Sequence, residues 1–162
     1  MSAERDPSKT LQVERTIAAP RELVFEAFSD PEHLDVWWGP NGFVNETHEM
    51  DFSVGGLWRY TMYGPDGKVW PNWIRYTEIT APSRIAYDHG GEMNEPAHFS
   101  SIIQFEDIAG KTRVSLILVF PTVEARDATL EFGAVEGGNQ TLAKLENFVL
   151  DRQSKDPASL RG

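Results

Sequence analysis

Leu11, Val13, Arg15 and Ile17 alternate with Gln12, Glu14 and Thr16, and this two-residue period predicts a first strand. Ala19-Pro20 then opens a helix, since proline is tolerated in a first turn, and Leu23, Val24, Ala27 and Phe28 supply its apolar face. Ser29-Asp30-Pro31 ends that helix and starts a second, with Asp30 as N-cap and Pro31 in the first turn. The second helix is short. It carries Leu34 and Val36 up to the aromatic pair Trp37-Trp38, and Gly39-Pro40-Asn41-Gly42 stops it.

From Phe43 the pattern turns strand-like, with runs at 43–52, 57–63, 69–79, 84–89, 99–106 and 112–120. Turn residues punctuate them: Val54-Gly55-Gly56, Gly64-Pro65-Asp66-Gly67, Ala81-Pro82-Ser83, a loop over 90–96, and Ala109-Gly110. After Pro121 the chain becomes helix-compatible over 123–152. Val135, Leu142, Leu145 and Val149 fall on one face, while Asp127, Glu131, Glu136, Lys144 and Asp151 lie mostly off it. Gly137-Gly138 interrupts this stripe at a cost of about 2 kcal/mol against alanine. The pair therefore marks a kink, a break between two helices, or a place where something else needs room.

Strand, two short helices, six consecutive strands on short turns and one long helix is an α+β order. Sequential strands with tight turns are antiparallel neighbours. A curved antiparallel sheet wrapped on the long C-terminal helix, a helix-grip fold, is the economical solution. The expected boundaries are a disordered arm over 1–9, a single domain over 10–152 and a tail over 153–162.

Composition narrows the function classes. The 162 residues include 15 Lys and Arg against 25 Asp and Glu, a formal charge of -10. That balance argues against a nucleic-acid backbone and an anionic membrane surface as partners. With no cysteine there is no disulfide framework, thiol nucleophile or thiolate metal site. The polar N-terminus carries no leader pattern and no stretch is long enough to span a bilayer, so a soluble cytoplasmic domain is expected.

On the strands, Trp58, Tyr60 and Met62 share one face, placed toward the helix, as do Phe99, Ile103 and Phe105, and Val114, Leu116, Leu118 and Phe120. Alternation back from Ile79 sets Thr77, Arg75 and Trp73 inward too, unless a bulge near Pro71 or Asn72 reverses them. An inward Arg75 must be paired, either with a ligand carboxylate or phosphate or with an acidic neighbour; the other reading places it on the outer face. His48 beside Glu49 is a candidate acid or base if it meets a tyrosine. His33, His48, His89 and His98 show no metal-ligand spacing. Glu46, Glu49 and Asp51 read as a solvated face.

At Ala19-Pro20-Arg21-Glu22-Leu23-Val24-Phe25, Asp30-Pro31-Glu32-His33-Leu34 and Trp37-Trp38-Gly39-Pro40 the chain resembles the START-like, Bet v 1-like (SRPBCC) superfamily. The branch it resembles is that of the C-terminal domain of the activator of the Hsp90 ATPase. Glu49-Met50-Asp51, Gly55-Gly56-Leu57-Trp58-Arg59-Tyr60, Gly64-Pro65-Asp66-Gly67, and Gly137 with Gln140-Thr141-Leu142 continue the likeness. The resemblance implies a cavity between sheet and last helix that holds a small apolar molecule, as in lipid carriers. Residues expected to line it are Trp58, Tyr60, Met62, Trp73, Arg75, Tyr87, Phe99, Leu116, Gly138 and Leu142. Gly138 stands where the branch commonly has Trp, which points to an enlarged cavity or mouth.

Ligand binding without a cofactor is thus the leading expectation. A cyclase- or hydrolase-like reaction on a polyketide-type substrate, using Tyr60, His48 and Arg75, is the first alternative. A module docking on a chaperone ATPase through Trp37-Trp38 and the 90–96 loop is the second. A homodimer stays open.

Overall fold

In a computed structural model describing residues 6–155, alternation along the chain becomes a seven-stranded antiparallel sheet. Its strands are β1 (Thr10–Ile17), β2 (Val44–Met50), β3 (Leu57–Tyr63), β4 (Val69–Thr80), β5 (Arg84–Gly90), β6 (Phe99–Ile108) and β7 (Lys111–Val119). They lie in the order β1-β7-β6-β5-β4-β3-β2, so β2 to β7 form a meander and only β1 crosses the sheet, to pair with β7. Helices α1 (Arg21–Glu26) and α2 (Pro31–Trp37) occupy the connection between β1 and β2. Asp30 caps α2 as expected, its carboxylate accepting from Glu32 N at 2.8 Å.

Two end regions differ from the sequence reading. Asp6 caps a 3-10 turn, Pro7–Lys9, so this part of the expected arm is ordered; the rest of that arm, 1–5, lies outside the described residues. The last helix runs to Lys155, beyond its expected end, and the remaining tail, 156–162, is likewise outside them.

A bulge in β4 corrects the largest error of face. Its pairing with β5 slips between Tyr76 and Glu78, so Thr77 is the extra residue. Ile74 and Tyr76 therefore face inward and are buried, while Trp73 and Arg75 face outward. Trp73 is covered there because its indole lies over Gly90 and donates to Glu92 O at 3.1 Å. Arg75 is exposed and donates to Gly55 O at 2.9 Å, so its partner is a turn carbonyl rather than a ligand or an acid.

The long helical run is two helices, α3 (Val123–Glu131) and α4 (Ala134–Lys155). The break falls at Phe132-Gly133, not at Gly137-Gly138. Gly133 has φ +91, the left-handed backbone that ends helices and that glycine adopts without strain. Gly137-Gly138 lies inside continuous α4, where it permits close approach. A Cβ at Gly138 would stand 3.0 Å from Val13 Cγ2, and one at Gly137 3.4 Å from Pro40 Cγ. Val135, expected on the buried stripe, is exposed, as is Val36 of α2.

The packed core gathers under the C-terminal half of α4. Leu142, Leu145 and Val149 join Ile17, Val24, Phe28, Leu34, Phe105 and Val114 in one buried cluster. Phe25 is buried on α1 and its ring meets Phe105, whereas Leu23 is half-buried. A run of rings crosses the core, Phe28 to Trp37 to Trp38 to Trp58 to Tyr60, with successive centroids 4.8, 5.6, 5.5 and 4.1 Å apart. Each such pair adds about 0.5–1.5 kcal/mol beyond its buried area.

Candidate ligand cavity

The N-terminal half of α4 presents Ala134, Gly137, Gly138 and Thr141 where its C-terminal half presents leucine and valine. Small side chains cannot fill the space between helix and sheet, and a cavity of about 570 Å³ remains there. Its floor is the inner face of the sheet: Leu11 and Val13 of β1, Leu116 and Leu118 of β7, Phe99 and Ser101 of β6, Tyr87 and His89 of β5, and Tyr60 and Met62 of β3. Trp38 and the loop from Gly39 to Phe43 close one side. The α3–α4 junction forms the rim, where Phe132 lines the cavity yet is 83% exposed.

The loop wall is tied to α4. Lys144 Nζ donates to Gly39 O at 3.1 Å and Pro40 O at 3.3 Å, and Asn41 N donates to Gln140 Oε1 at 3.0 Å. Partial burial lowers the Lys144 pKa, but its ammonium is engaged by these carbonyls and does not line the cavity.

Strand register sets the polar groups of the floor. Tyr87 stands opposite Ser101, Ser101 opposite Leu118 and Leu118 opposite Leu11, so a hydroxyl interrupts an apolar row. His89 stands opposite Phe99 on β6 and Ile74 on β4. Tyr60 joins the two sides of the site: its hydroxyl accepts from Trp38 Nε1 at 3.0 Å and lies 3.5 Å from His89 Nε2. His89 Nε2 is also 2.9 Å from Asn72 Oδ1, which fits a neutral ring with its proton on Nε2.

Burial, reinforced by nearby His98, pushes the His89 pKa down to about 3, so the ring is neutral at physiological pH. Burial raises Tyr60 well above the usual phenol range, with a smaller contribution from Tyr87, and raises Tyr87 too. The nearby Ser101 hydroxyl offsets part of the Tyr87 shift, although the two hydroxyls do not meet in full hydrogen-bond geometry. Ser101 is 1% exposed, and its Oγ has no hydrogen-bond partner among the described residues. Leaving such a group unsatisfied costs about 1–3 kcal/mol. Among the lining residues Glu136 is the one with a formal charge, and it accepts from Gln140 Nε2 at 3.3 Å.

Of the residues expected at a cavity, the structure brings Tyr60, Met62, Tyr87, Phe99, Leu116 and Gly138 together on its wall. Trp58 and Leu142 are instead packed into the adjoining core. Trp73 and Arg75 are on the opposite face of the sheet for the reason given above. Gly138 lines the space, but its missing side chain also serves the close approach to Val13. His48 is exposed at a β2 bulge and bonds Thr61 Oγ1 at 2.7 Å, away from the cavity floor. The acid–base set Tyr60, His48 and Arg75 therefore does not assemble. Trp37 and Trp38 are buried, so this pair is core and not an exposed docking surface. The sequence reading missed His89, Ser101 and Trp38 as lining residues, although His89 and Ser101 follow from the alternations Ile85–Tyr87–His89 and Phe99–Ser101–Ile103.

Among the described residues no helix is long and apolar enough to cross a membrane. The model of the activator of Hsp90 ATPase homolog 1-like protein family matches residues 18–149. A crystal structure of a Nitrosomonas europaea protein is similar at 24% identity, covering 92% of this chain and 99% of that one, with a TM-score of 0.83. An Arthrobacter aurescens protein solved by NMR is similar at 24% identity over 89% of this chain and 87% of its own, with a TM-score of 0.81. An AHSA1 protein from Silicibacter pomeroyi is similar at 22% identity over 88% and 99%, with a TM-score of 0.68. No curated protein matches the chain.

Proposed function

The chain belongs to the activator of Hsp90 ATPase homolog 1-like family, and from that premise we propose that it binds a small apolar ligand between sheet and C-terminal helix. The observation that carries this reading is the cavity of about 570 Å³, with an apolar floor and an open rim at Phe132. Sites for small molecules have this size and character, apolar walls with a few placed polar groups. Tyr60, Met62, Tyr87, Phe99, Leu116 and Gly138 are the contact residues we propose. The apolar wall supplies affinity by releasing water, and the hydroxyls of the floor orient what enters.

Native mass spectrometry of freshly purified protein tests the reading, with uptake of the neutral dye Nile red as a second readout. The expected result is an added mass of a few hundred daltons that solvent extraction removes, or saturable dye uptake. Leu116→Trp, which places bulk in the cavity, is expected to abolish either signal while the far-ultraviolet circular dichroism stays unchanged. A clean mass together with no dye uptake ends this proposal.

A further inference from the structure

We infer that the floor of the cavity selects an uncharged ligand carrying an oxygen acceptor, a carbonyl above all, which takes its hydrogen bond from Ser101 Oγ. This deepens the binding reading above and rests on it.

Three observations converge. Ser101 lines the cavity and is almost fully buried beside Leu118, Phe99 and Tyr87, and its hydroxyl, itself buried, meets no partner in full hydrogen-bond geometry among the described residues. A hydroxyl in that setting retains a proton to donate, and an acceptor supplied by a ligand would satisfy it. Next, among the described residues no lysine or arginine lines the space, Lys144 being held by the loop carbonyls and Arg75 being on the outer face. A carboxylate or phosphate entering here would lose its hydration with no cation to replace it. Finally, the remaining polar groups of the floor are neutral. Tyr60 and Tyr87 stay protonated, and His89 is uncharged beside Asn72. Glu136 on α4 and the formal charge of -10 further oppose an anion.

The two hydroxyls at adjacent positions, Tyr87 and Ser101, give the recognition a direction. They sit opposite each other across β5 and β6, so an oxygen placed against this pair leaves the carbon body of the ligand over Leu11, Val13 and Leu116. The polar end then lies against the floor and the apolar body leads toward the rim at Phe132.

Competition against Nile red at pH 8 tests this, corrected for the dye affinity of each protein. The competitors are 2-dodecanone, dodecanoate and 1-dodecene. The ketone is expected to bind at least about tenfold more tightly than the carboxylate. Ser101→Ala removes a hydroxyl that has no hydrogen-bond partner among the described residues, and the variant is expected to fold. It should weaken 2-dodecanone about three- to tenfold and leave 1-dodecene within about twofold. The hydrocarbon thus reports an intact cavity and isolates the hydrogen bond. Dodecanoate binding as well as the ketone overturns the inference, as does an equal or absent effect of Ser101→Ala on both neutral competitors. If 1-dodecene and the dye bind but head groups are not distinguished, only this inference falls. If nothing enters the wild-type protein, the binding reading falls with it.

Discussion

The two halves of α4 face the same sheet and do opposite things with it. From Leu142 onward the helix contributes Leu145 and Val149 to a closed cluster with Ile17, Phe28 and Phe105. Before Thr141 the positions nearest the sheet include two glycines and an alanine, and about 570 Å³ of space is left over Leu11, Leu116 and Ser101. The backbone of α4 is unbroken through both. Side-chain volume at a few helical positions therefore decides which part of the interior is core and which is container. A hollow is an absence of contacts, so the closed half must stabilise the fold for both.

Truncation separates the halves most strongly. Leu145→Ala, at a position with no exposure, is expected to cost about 3 kcal/mol, within the usual 2–5 for buried leucine. Leu116→Ala, whose side chain already borders open space, is expected to cost less than about 2 kcal/mol, because fewer contacts are lost. Denaturant unfolding of both variants checks the difference, and equal losses would contradict the division.

Acid sharpens the contrast next. In the unfolded chain His89 binds a proton below about pH 6.5, whereas in the folded protein burial, reinforced by His98, defers protonation to about pH 3. Between these values the unfolded state binds more protons, so this residue makes stability fall as the pH is lowered. The slope is at most about 1.4 kcal/mol per pH unit. His89→Gln is expected to flatten unfolding free energies measured from pH 7 to pH 4.5. A slope identical to that of the wild type would show that His89 is not held neutral.

The smallest effect concerns the two glycines. Gly137→Ala meets Pro40 at 3.4 Å and is expected to stabilise by about 0.5–1 kcal/mol through helix propensity. Gly138→Ala crowds Val13 at 3.0 Å, so it should gain less or lose. Thermal melts of the pair decide this, and a larger gain at 138 would mean that β1 yields there.

Much of the fold is legible in the sequence. Element order came from alternation and turn residues, and the start of α2 from Asp30-Pro31, because caps and strand periods are local physics. The bulge at Thr77 was not anticipated, although apolar Ile74 and Tyr76 followed by Ile79 change parity, which is the mark a bulge leaves. At Gly137-Gly138 the sequence leaves a kink, a break and a close approach open, because composition cannot tell a glycine that ends a helix from one that lets a helix approach a strand. Only the backbone at Gly133, in the left-handed region, makes that distinction. The same bulge decides between the two faces open to Arg75, in favour of the outer one. Ser101 was passed over because a serine between phenylalanine and isoleucine looks like a gap in a pattern.

The crossing of β1 to the far edge of the sheet has a consequence for how the molecule assembles. Every other strand pairs with its neighbour in the chain, but Thr10 pairs with Val119, and closing so long a loop carries a larger entropic cost than closing a hairpin. The meander from β2 to β7 is therefore expected to form first, with β1 added late. Since β1 brings Leu11 and Val13, the container gains its last wall at that moment. Destabilising substitutions at Val13 should consequently hasten unfolding while leaving the rate of folding almost untouched.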